Sequence, residues 1–593
     1  MPVLSRVHDL LPHIQKNFKG EVLVAGKRKD KWLTYSVSDF VEAVNQTSRG
    51  LIVSGIKKGD KVAIMSTNRP EWNICDFAIM QIGATQVPMY PTLSTQDIRF
   101  ILKDAEIKLV FAGSLELHEK LEQIKKEEGL DVAVFSFEEA ESANWWRTIT
   151  EKGKANPELD LKPYNDAVVP EDLVTLIYTS GTTGTPKGVM LTHANLVSNL
   201  VDTFDAYPHN LTKVISFLPL SHIFERMVFY MNCFACVSVY YAESMDTVIA
   251  DIQDIKPHGF TAVPRVLEKI YDRIVEKGSA LTGIKRRLFY WALDLGLRYE
   301  LYGKNGLWYE FQLAIASKLV FVKWREALGG EIKTLMSGGA ALQPRLARVF
   351  WAAGIPVLEG YGLTETSPVI SLNRLDRNRA MFGTVGQAIK NVEIKIADDG
   401  EILCKGPNIM KGYYNRPDLT AEVIDAEGWF HTGDIGEILG EGFLKITDRK
   451  KEIFKTAGGK YVAPQLIENK FKESPLIEQV MVVGENRKFP SALVVPNFQA
   501  LQAWCEKKGI KYSSPAEIIQ QPDVIAKYRA ELDRYNASFG RWEQAKKFRL
   551  LPKEWSIEAS ELTPKLSLKR KVIYEKNLDL IEQMYADLEN GKL

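Results

Sequence analysis

The run Tyr178-Thr179-Ser180-Gly181-Thr182-Thr183-Gly184-Thr185-Pro186-Lys187-Gly188 follows a short apolar segment, Leu173 to Ile177, whose Val and Ile residues mark a buried strand. Downstream, Thr192-His193-Ala194-Asn195-Leu196 opens a helix. Between them stand hydroxyls, glycines, a proline and one lysine. Glycines let a backbone turn its N–H groups toward a ligand, and a concave set of such donors binds anions. The hydroxyls of Thr179, Ser180, Thr182 and Thr183 add donors, and Lys187 adds a point positive charge. This chemistry suits a polyphosphate. The spacing differs from the P-loop of NTPases, because no G-x-x-x-x-G-K-[ST] occurs in the chain.

Outward from this run the chain alternates. Strands at Trp32–Ser36, Asp60–Met65, Thr85–Tyr90 and Leu109–Phe111 are separated by helical patterns over Asp39–Leu51, Pro70–Ile82 and Asp97–Asp104. Such alternation predicts an α/β fold with a doubly wound, mostly parallel sheet. Residues 144–172 are polar and rich in breakers, and read as a loop. After the run the pattern resumes with strands at Thr212–Leu218 and Val237–Tyr241, and Thr261-Ala262-Val263-Pro264-Arg265 precedes a helix from Val266 to Glu276. A long helical stretch, Gly283 to Lys323, reads as core packing or a helical pair closing a groove. From Arg374 to Asp434 short strands and Gly turns suggest a small β-rich subdomain. Beyond Lys451 a smaller alternating unit follows, and the charged Asp448-Arg449-Lys450-Lys451 marks the boundary.

Composition sets the frame. A chain of 593 residues is too long for one core, and 45% hydrophobic with 25% charged residues is ordinary for a water-soluble globular protein. The formal net charge of +1 gives no reason to expect a nucleic-acid partner. Cys75, Cys233, Cys236, Cys404 and Cys505 are scattered, which suits a reducing compartment, and Cys233-Phe-Ala-Cys236 reads as buried thiols. Met1 to Lys19 lacks the pattern of a secretory signal, and no apolar window is long enough to span a bilayer. A cytoplasmic location is expected. Peripheral contact with a membrane surface and a homodimer are both compatible with the sequence.

Two further turns sit at the ends of strands. Ser337-Gly338-Gly339-Ala340-Ala341 would let a flat ligand approach the backbone. Gly360-Tyr361-Gly362-Leu363-Thr364-Glu365-Thr366 places an aromatic face, a hydroxyl and a carboxylate together, a set for adenine, a phosphate oxygen and Mg²⁺.

Taken together, these runs resemble the signature motifs of the adenylate-forming superfamily, which includes acyl-CoA synthetases, peptide-synthetase adenylation domains and firefly luciferase. More narrowly, the chain is similar to bacterial long-chain fatty acyl-CoA synthetases, from about Trp32 to Lys571. The resemblance implies a large adenylation domain (1–447), a hinge (448–451) and a mobile α+β lid domain (452–593). It implies ATP, Mg²⁺ and CoA, with a fatty acid as the substrate. By it, Tyr361 stacks on adenine, Glu365 supports the metal, Asp434 and Arg449 bind the ribose, and Lys451 is the pivot. Thr179 to Gly184 with Lys187 hold phosphates, Gly339, Ala340, Gly362 and Thr364 complete the nucleotide site, and Gly458 and Gly459 line the pantetheine tunnel. His222, Val263 and Arg265 fall at the acyl site, beside the apolar run Met227–Tyr241. One motif departs from the family: Ser567 stands where a catalytic lysine is usual, flanked by Lys565 and Lys569. On an extended segment these three would share a face, so either lysine could supply the charge. A fatty acyl-AMP ligase loading a carrier protein is an alternative in the same fold, and Ser567 keeps open a non-catalytic lipid- or nucleotide-binding module.

Overall fold

The computed structural model of the protein describes residues 4–180, 186–376, 378–557, 559–563 and 567–586. Alternate residues of one strand, Lys61–Met65, explain its first sheet. Val62 and Ile64 join one buried cluster while Ala63 and Met65 join another, so both faces are covered. That strand pairs in parallel with Thr85–Met89 and Ile107–Ala112, inside a seven-stranded sheet. At the other side of the sheet Leu173–Ser180 and Pro186–Thr192 form an antiparallel hairpin, with Thr179 opposite Lys187. The two-residue strand Gly412–Tyr413 closes that edge, Tyr413 facing Val189.

A nine-stranded sheet carries the second half. Its centre is parallel: Thr334–Ser337 lies between Gly259–Ala262 and Val357–Gly362. Its far edge corrects one expectation. The strand Lys31–Tyr35 does not start the first sheet; it turns back on Val24–Arg28, which pairs with Ser238–Tyr241. Apolar Val24 and Ala25 are fully buried there, while Lys31–Tyr35 is an exposed edge.

Residues 144–172 are also not a plain loop. They contain the helices Arg147–Lys154 and Lys162–Ala167. The first packs so tightly on helix Val37–Val53 that a Cβ on Gly50 would lie 1.8 Å from the Ile149 carbonyl oxygen, and one on Gly153 would lie 1.8 Å from that of Gln46. Reciprocal glycines let the two backbones touch, and the polar surface pattern hid this.

The β-rich unit is a four-stranded antiparallel sheet, Glu393–Ile396, Glu401–Lys405, Phe430–Leu439 and Phe443–Arg449. After it, a three-stranded sheet of Ile477–Val483, Ser491–Pro496 and Lys547–Leu550 has its own two clusters, one on each face, drawn only from Phe454 onward. Among the described residues this C-terminal unit touches the larger body through polar contacts away from the boundary. Gln499 Nε2 donates to Glu276 Oε1 at 2.7 Å, and the Arg265 guanidinium pairs with Glu478. Among the described residues no helix is long and apolar enough to cross a membrane.

Candidate active site

The hairpin Leu173–Thr192 positions Lys187. Its partner strand leaves no room for side chains at Gly188, where a Cβ would sit 2.9 Å from Leu176 Cδ1. The following helix His193–Thr203 is capped by Thr192, whose hydroxyl accepts the Asn195 N–H at 3.2 Å. The tip, Gly181 to Thr185, lies outside the described residues, and Thr179 and Ser180 end the strand that leads to it.

Lys187 meets an aromatic residue that the motifs did not single out. Its Nζ lies over the Tyr413 ring, 5.2 Å from the centroid, and the Tyr413 hydroxyl donates to Glu365 Oε1 at 2.9 Å. A cation, a ring and a carboxylate from three distant segments are thus joined in sequence. Burial, then the neighbouring Glu365 charge, pushes the Tyr413 hydroxyl pKa up and keeps it a proton donor. Nothing periodic marks Tyr413, because a two-residue strand leaves no pattern; the aromatic pair Tyr413-Tyr414 was the available signal.

Glu365 also lies beside a second relay. It shares a turn with Tyr361, Gly362 and buried Thr364, after the strand Val357–Gly362. Gly362 is obligatory: a Cβ there would lie 1.7 Å from the Pro368 carbonyl oxygen. The Tyr361 hydroxyl donates to Asp434 Oδ2 at 2.6 Å, and Arg449 Nε lies 3.4 Å from Asp434 Oδ1. Asp434 and Arg449 are register partners on adjacent strands. Burial raises the Asp434 pKa and the Arg449 charge opposes it. Glu359, two residues before Tyr361 on the same strand, is pushed up to about 8 by burial alone.

Gly338 packs between the Phe224 ring and the Gly360 carbonyl. Gly339 and Ala340 are exposed beside it, with Gly339 at φ +80° and its Cβ position 3.9 Å from Val263 Cγ1. Val263 therefore adjoins the same turn. His222, half-buried, caps the helix Ile223–Phe234, its Nδ1 accepting the Phe224 N–H at 3.1 Å. Behind these, Val228 and Asn232 of the apolar run face Phe260, Thr261 and Met336 across a small cavity. Its one buried acid, Glu225, accepts hydroxyl donations from Ser216 at 2.5 Å and from Thr261, and burial pushes it up to about 7.

Arg265 is a correction. Expected on the acyl wall, it is committed to Glu268 at 3.2 Å and to Glu478 of the C-terminal unit. A guanidinium held by two carboxylates serves a contact between units rather than an alkyl surface.

The C-terminal residues also depart from expectation. Thr563 N–H donates to the Ser567 carbonyl at 2.8 Å, and Leu562 bridges Leu568 in antiparallel fashion. Ser567 and Lys569 thus lie on a chain paired back on itself, not on a free extended segment; Lys565 lies outside the described residues. Lys569 caps the short helix Arg570–Lys576. Arg570 is half-buried and pairs with Glu452, at 2.7 Å, and Glu468, tying this hairpin to the residue after Lys451. Lys450 is bound to Asp399 at 2.6 Å and Glu401 at 2.8 Å, whereas Lys451 is exposed. Gly458 and Gly459 form the turn between Phe454–Lys455 and Tyr461–Val462, Gly459 at φ +77°.

Two wound sheets, a β-rich unit and an appended C-terminal unit are the architecture of adenylation domains. The adenylation domain of a carboxylate reductase from Mycobacterium chelonae superposes with a TM-score of 0.76, at 22% identity, over 99% of this chain and 92% of that one. The corresponding domain from Segniliparus rugosus, solved with AMP and a co-purified carboxylic acid, gives 0.76 at 20% identity over 98% and 94%. The chain belongs to the AMP-binding enzyme family, whose description matches residues 13–414, with the AMP-binding enzyme C-terminal domain matching 452–589. It is 35% identical to the long-chain-fatty-acid–CoA ligase FadD15 of Mycobacterium bovis over 93% of this chain and 92% of that protein. It is 33% identical to the human long-chain-fatty-acid–CoA ligase 1, covering 94% and 83% respectively.

Proposed function

We propose that the protein is an ATP-dependent, AMP-forming ligase that joins long-chain fatty acids to CoA. The observation that carries this reading is the meeting of Lys187, Tyr413 and Glu365 beside the Tyr361–Asp434–Arg449 relay. A triphosphate needs a cation and a metal-bearing carboxylate at one end and a ribose acceptor at the other, and these two relays supply both. The donor set fits Mg²⁺, which takes one or two carboxylates and completes its shell with phosphate oxygens and water. Glu365 would hold it, and the ion would neutralise phosphate charge when bound.

In the first step the fatty carboxylate oxygen attacks the α-phosphorus and the bond to pyrophosphate breaks. Positioning and charge neutralisation dominate such transfers. Lys187 and the hydroxyls of the hairpin tip, Thr182 and Thr183, hold the β- and γ-phosphates, while Lys565 or Lys569 meets the developing charge. Asp434 accepts the ribose hydroxyls, steadied by Arg449, and Tyr361 offers its ring to adenine. In the second step the CoA thiol attacks the acyl carbonyl and AMP leaves. Rotation of residues 452–593 about Lys451 withdraws the lysine and brings Gly458 and Gly459 to the pantetheine. The acyl chain lies along Val263 and the cavity behind His222. A substrate that partitions into lipid makes a peripheral stay at a membrane surface part of the same reading.

Pyrophosphate release across acids from acetate to oleate, with and without CoA, tests the proposal. Oleate-dependent release stimulated by CoA is the expected result. Release unaffected by CoA would favour the carrier-loading alternative, and no release with any acid would end the enzymatic reading.

A further inference from the structure

The helix Leu307–Ala316 and the π turn Ser317–Phe321 that continues it bury Tyr309, Ala316, Val320 and Phe321 on one side. The opposite side is apolar and uncovered. Leu307 is 91% exposed, Trp308 71%, Phe311 57% and Leu319 56%, and the Trp308 and Phe311 rings stack with centroids 5.6 Å apart. Single exposed apolar residues are ordinary; a row of them along one helical face marks a contact surface.

The surroundings say what kind of contact. The neighbouring helix Gly283–Leu297 runs antiparallel, since the Tyr309 hydroxyl donates to the Leu295 carbonyl at 2.6 Å while Phe289 meets Trp324 beyond the π turn. Lys285, Arg286 and Arg287 are exposed at its start, and Lys304 and Lys318 are exposed on the segment carrying the apolar row. From Leu281 to Leu328 eight Lys and Arg residues stand against four Asp and Glu, in a chain whose net charge is only +1. Three of the eight are spoken for: Arg298 pairs with Asp294 at 2.5 Å, Lys323 pairs with Glu326 at 2.8 Å, and Arg325 donates to the Ala353 carbonyl at 2.6 Å. The others leave a basic flank around an aromatic-rich apolar face. A protein partner would need a matching apolar groove, whereas an anionic bilayer supplies both chemistries at once: headgroups for the cations and an interfacial layer suited to Trp.

We propose that this helical face docks the protein on an anionic lipid bilayer, with Trp308 and Phe311 at the headgroup–acyl boundary and the Lys and Arg side chains among the headgroups. The inference stands on the surface alone and agrees with a lipid-borne substrate. The helices rest on the core that includes Phe260 and Ala262, the residues leading to Val263.

Flotation of the full-length protein with vesicles tests it, comparing phosphatidylcholine alone with an equal mixture of phosphatidylcholine and phosphatidylglycerol. The wild-type chain is expected to float with the mixed vesicles and to be released by high salt. The variant Trp308→Ser/Phe311→Ser/Leu319→Ser, with an unchanged melting temperature, should lose about tenfold in partitioning. Lys285→Glu/Arg286→Glu/Arg287→Glu should lose the preference for phosphatidylglycerol. A second measurement needs no disruptive change: Leu307→Cys carrying a polarity-sensitive dye should shift to the blue on mixed vesicles. The proposal is overturned by a wild-type chain that stays at the bottom of the gradient, by a triple variant that floats as well as wild type, or by a dye that does not shift. It is also overturned if the wild type is a dimer without vesicles and the triple variant a monomer, since the face would then join two copies. Fatty-acid activity enters none of these readouts, so this surface and the ligase reaction fail or stand separately.

Discussion

Tyr413 has the work of orienting Glu365, because its hydroxyl holds one carboxylate oxygen and its ring carries Lys187. Partners of a metal-bearing carboxylate typically matter about 10- to 100-fold. Tyr413→Phe is therefore expected to slow pyrophosphate release about tenfold and to raise the Mg²⁺ concentration needed for half-maximal rate. A Mg²⁺ titration of oleate-dependent pyrophosphate release checks both, and an unchanged Mg²⁺ requirement would remove Tyr413 from the site. Glu225 gives a test by pH. Burial raises its pKa from the ordinary 4.5 to about 7, so the folded state holds the proton more tightly than the unfolded one. Stability from this group is full below 4.5 and declines as pH rises toward 7. The melting temperature of the wild type should fall between those values more steeply than that of Glu225→Gln, measured by thermal unfolding in a buffer series. Parallel slopes would mean that Glu225 is already ionised in the fold.

Among elements, the hairpin shows what could be read in advance. Its strand, its lysine and the Thr192 cap announce themselves locally, by apolar run, composition and capping pattern. The same holds for the turn Gly360–Thr366. What could not be read depends on distant segments: Tyr413 reaching Lys187, Arg265 turning to Glu478, and Gly50 meeting the helix Arg147–Lys154. Each is a contact between residues far apart in sequence, for which local periodicity carries no signal. The run Asp448–Lys451 lies between these cases. Its charge was visible, but the division of labour among its cations appears only in space. Proline at the exposed Lys451 would restrict φ where the ligase reading requires rotation. Lys451→Pro should slow thioester formation at least about tenfold more than adenylate formation, as separate single-turnover measurements with and without CoA would show. Equal losses in both steps would rule out a pivot there.

At the scale of the molecule, the two units meet, among the described residues, through Arg265–Glu478 and Gln499–Glu276 away from the boundary and through the Gln465 N–H donating to Asp448 Oδ2 at 3.3 Å beside it. Side chains that are 22% and 12% exposed give a pair only partly shielded from water, worth about 1 kcal/mol. Arg265→Glu should accordingly expose the Arg449–Lys451 run to trypsin several-fold faster, and the exchanged pair Arg265→Glu/Glu478→Arg should restore the slower rate. Cleavage as fast in the exchanged pair as in the single variant would count against this contact as the latch. The bonds upstream of Lys451 have one more consequence. Arg449 is bound to Asp434, and Lys450 to Asp399 and Glu401, on the side of the chain that would stay fixed in the proposed pivot at Lys451. Under the proposed reaction, a swing beginning one residue later would exchange what covers the mixed anhydride without loosening the nucleoside beneath it, so that a labile product would wait in place for its thiol instead of drifting into water.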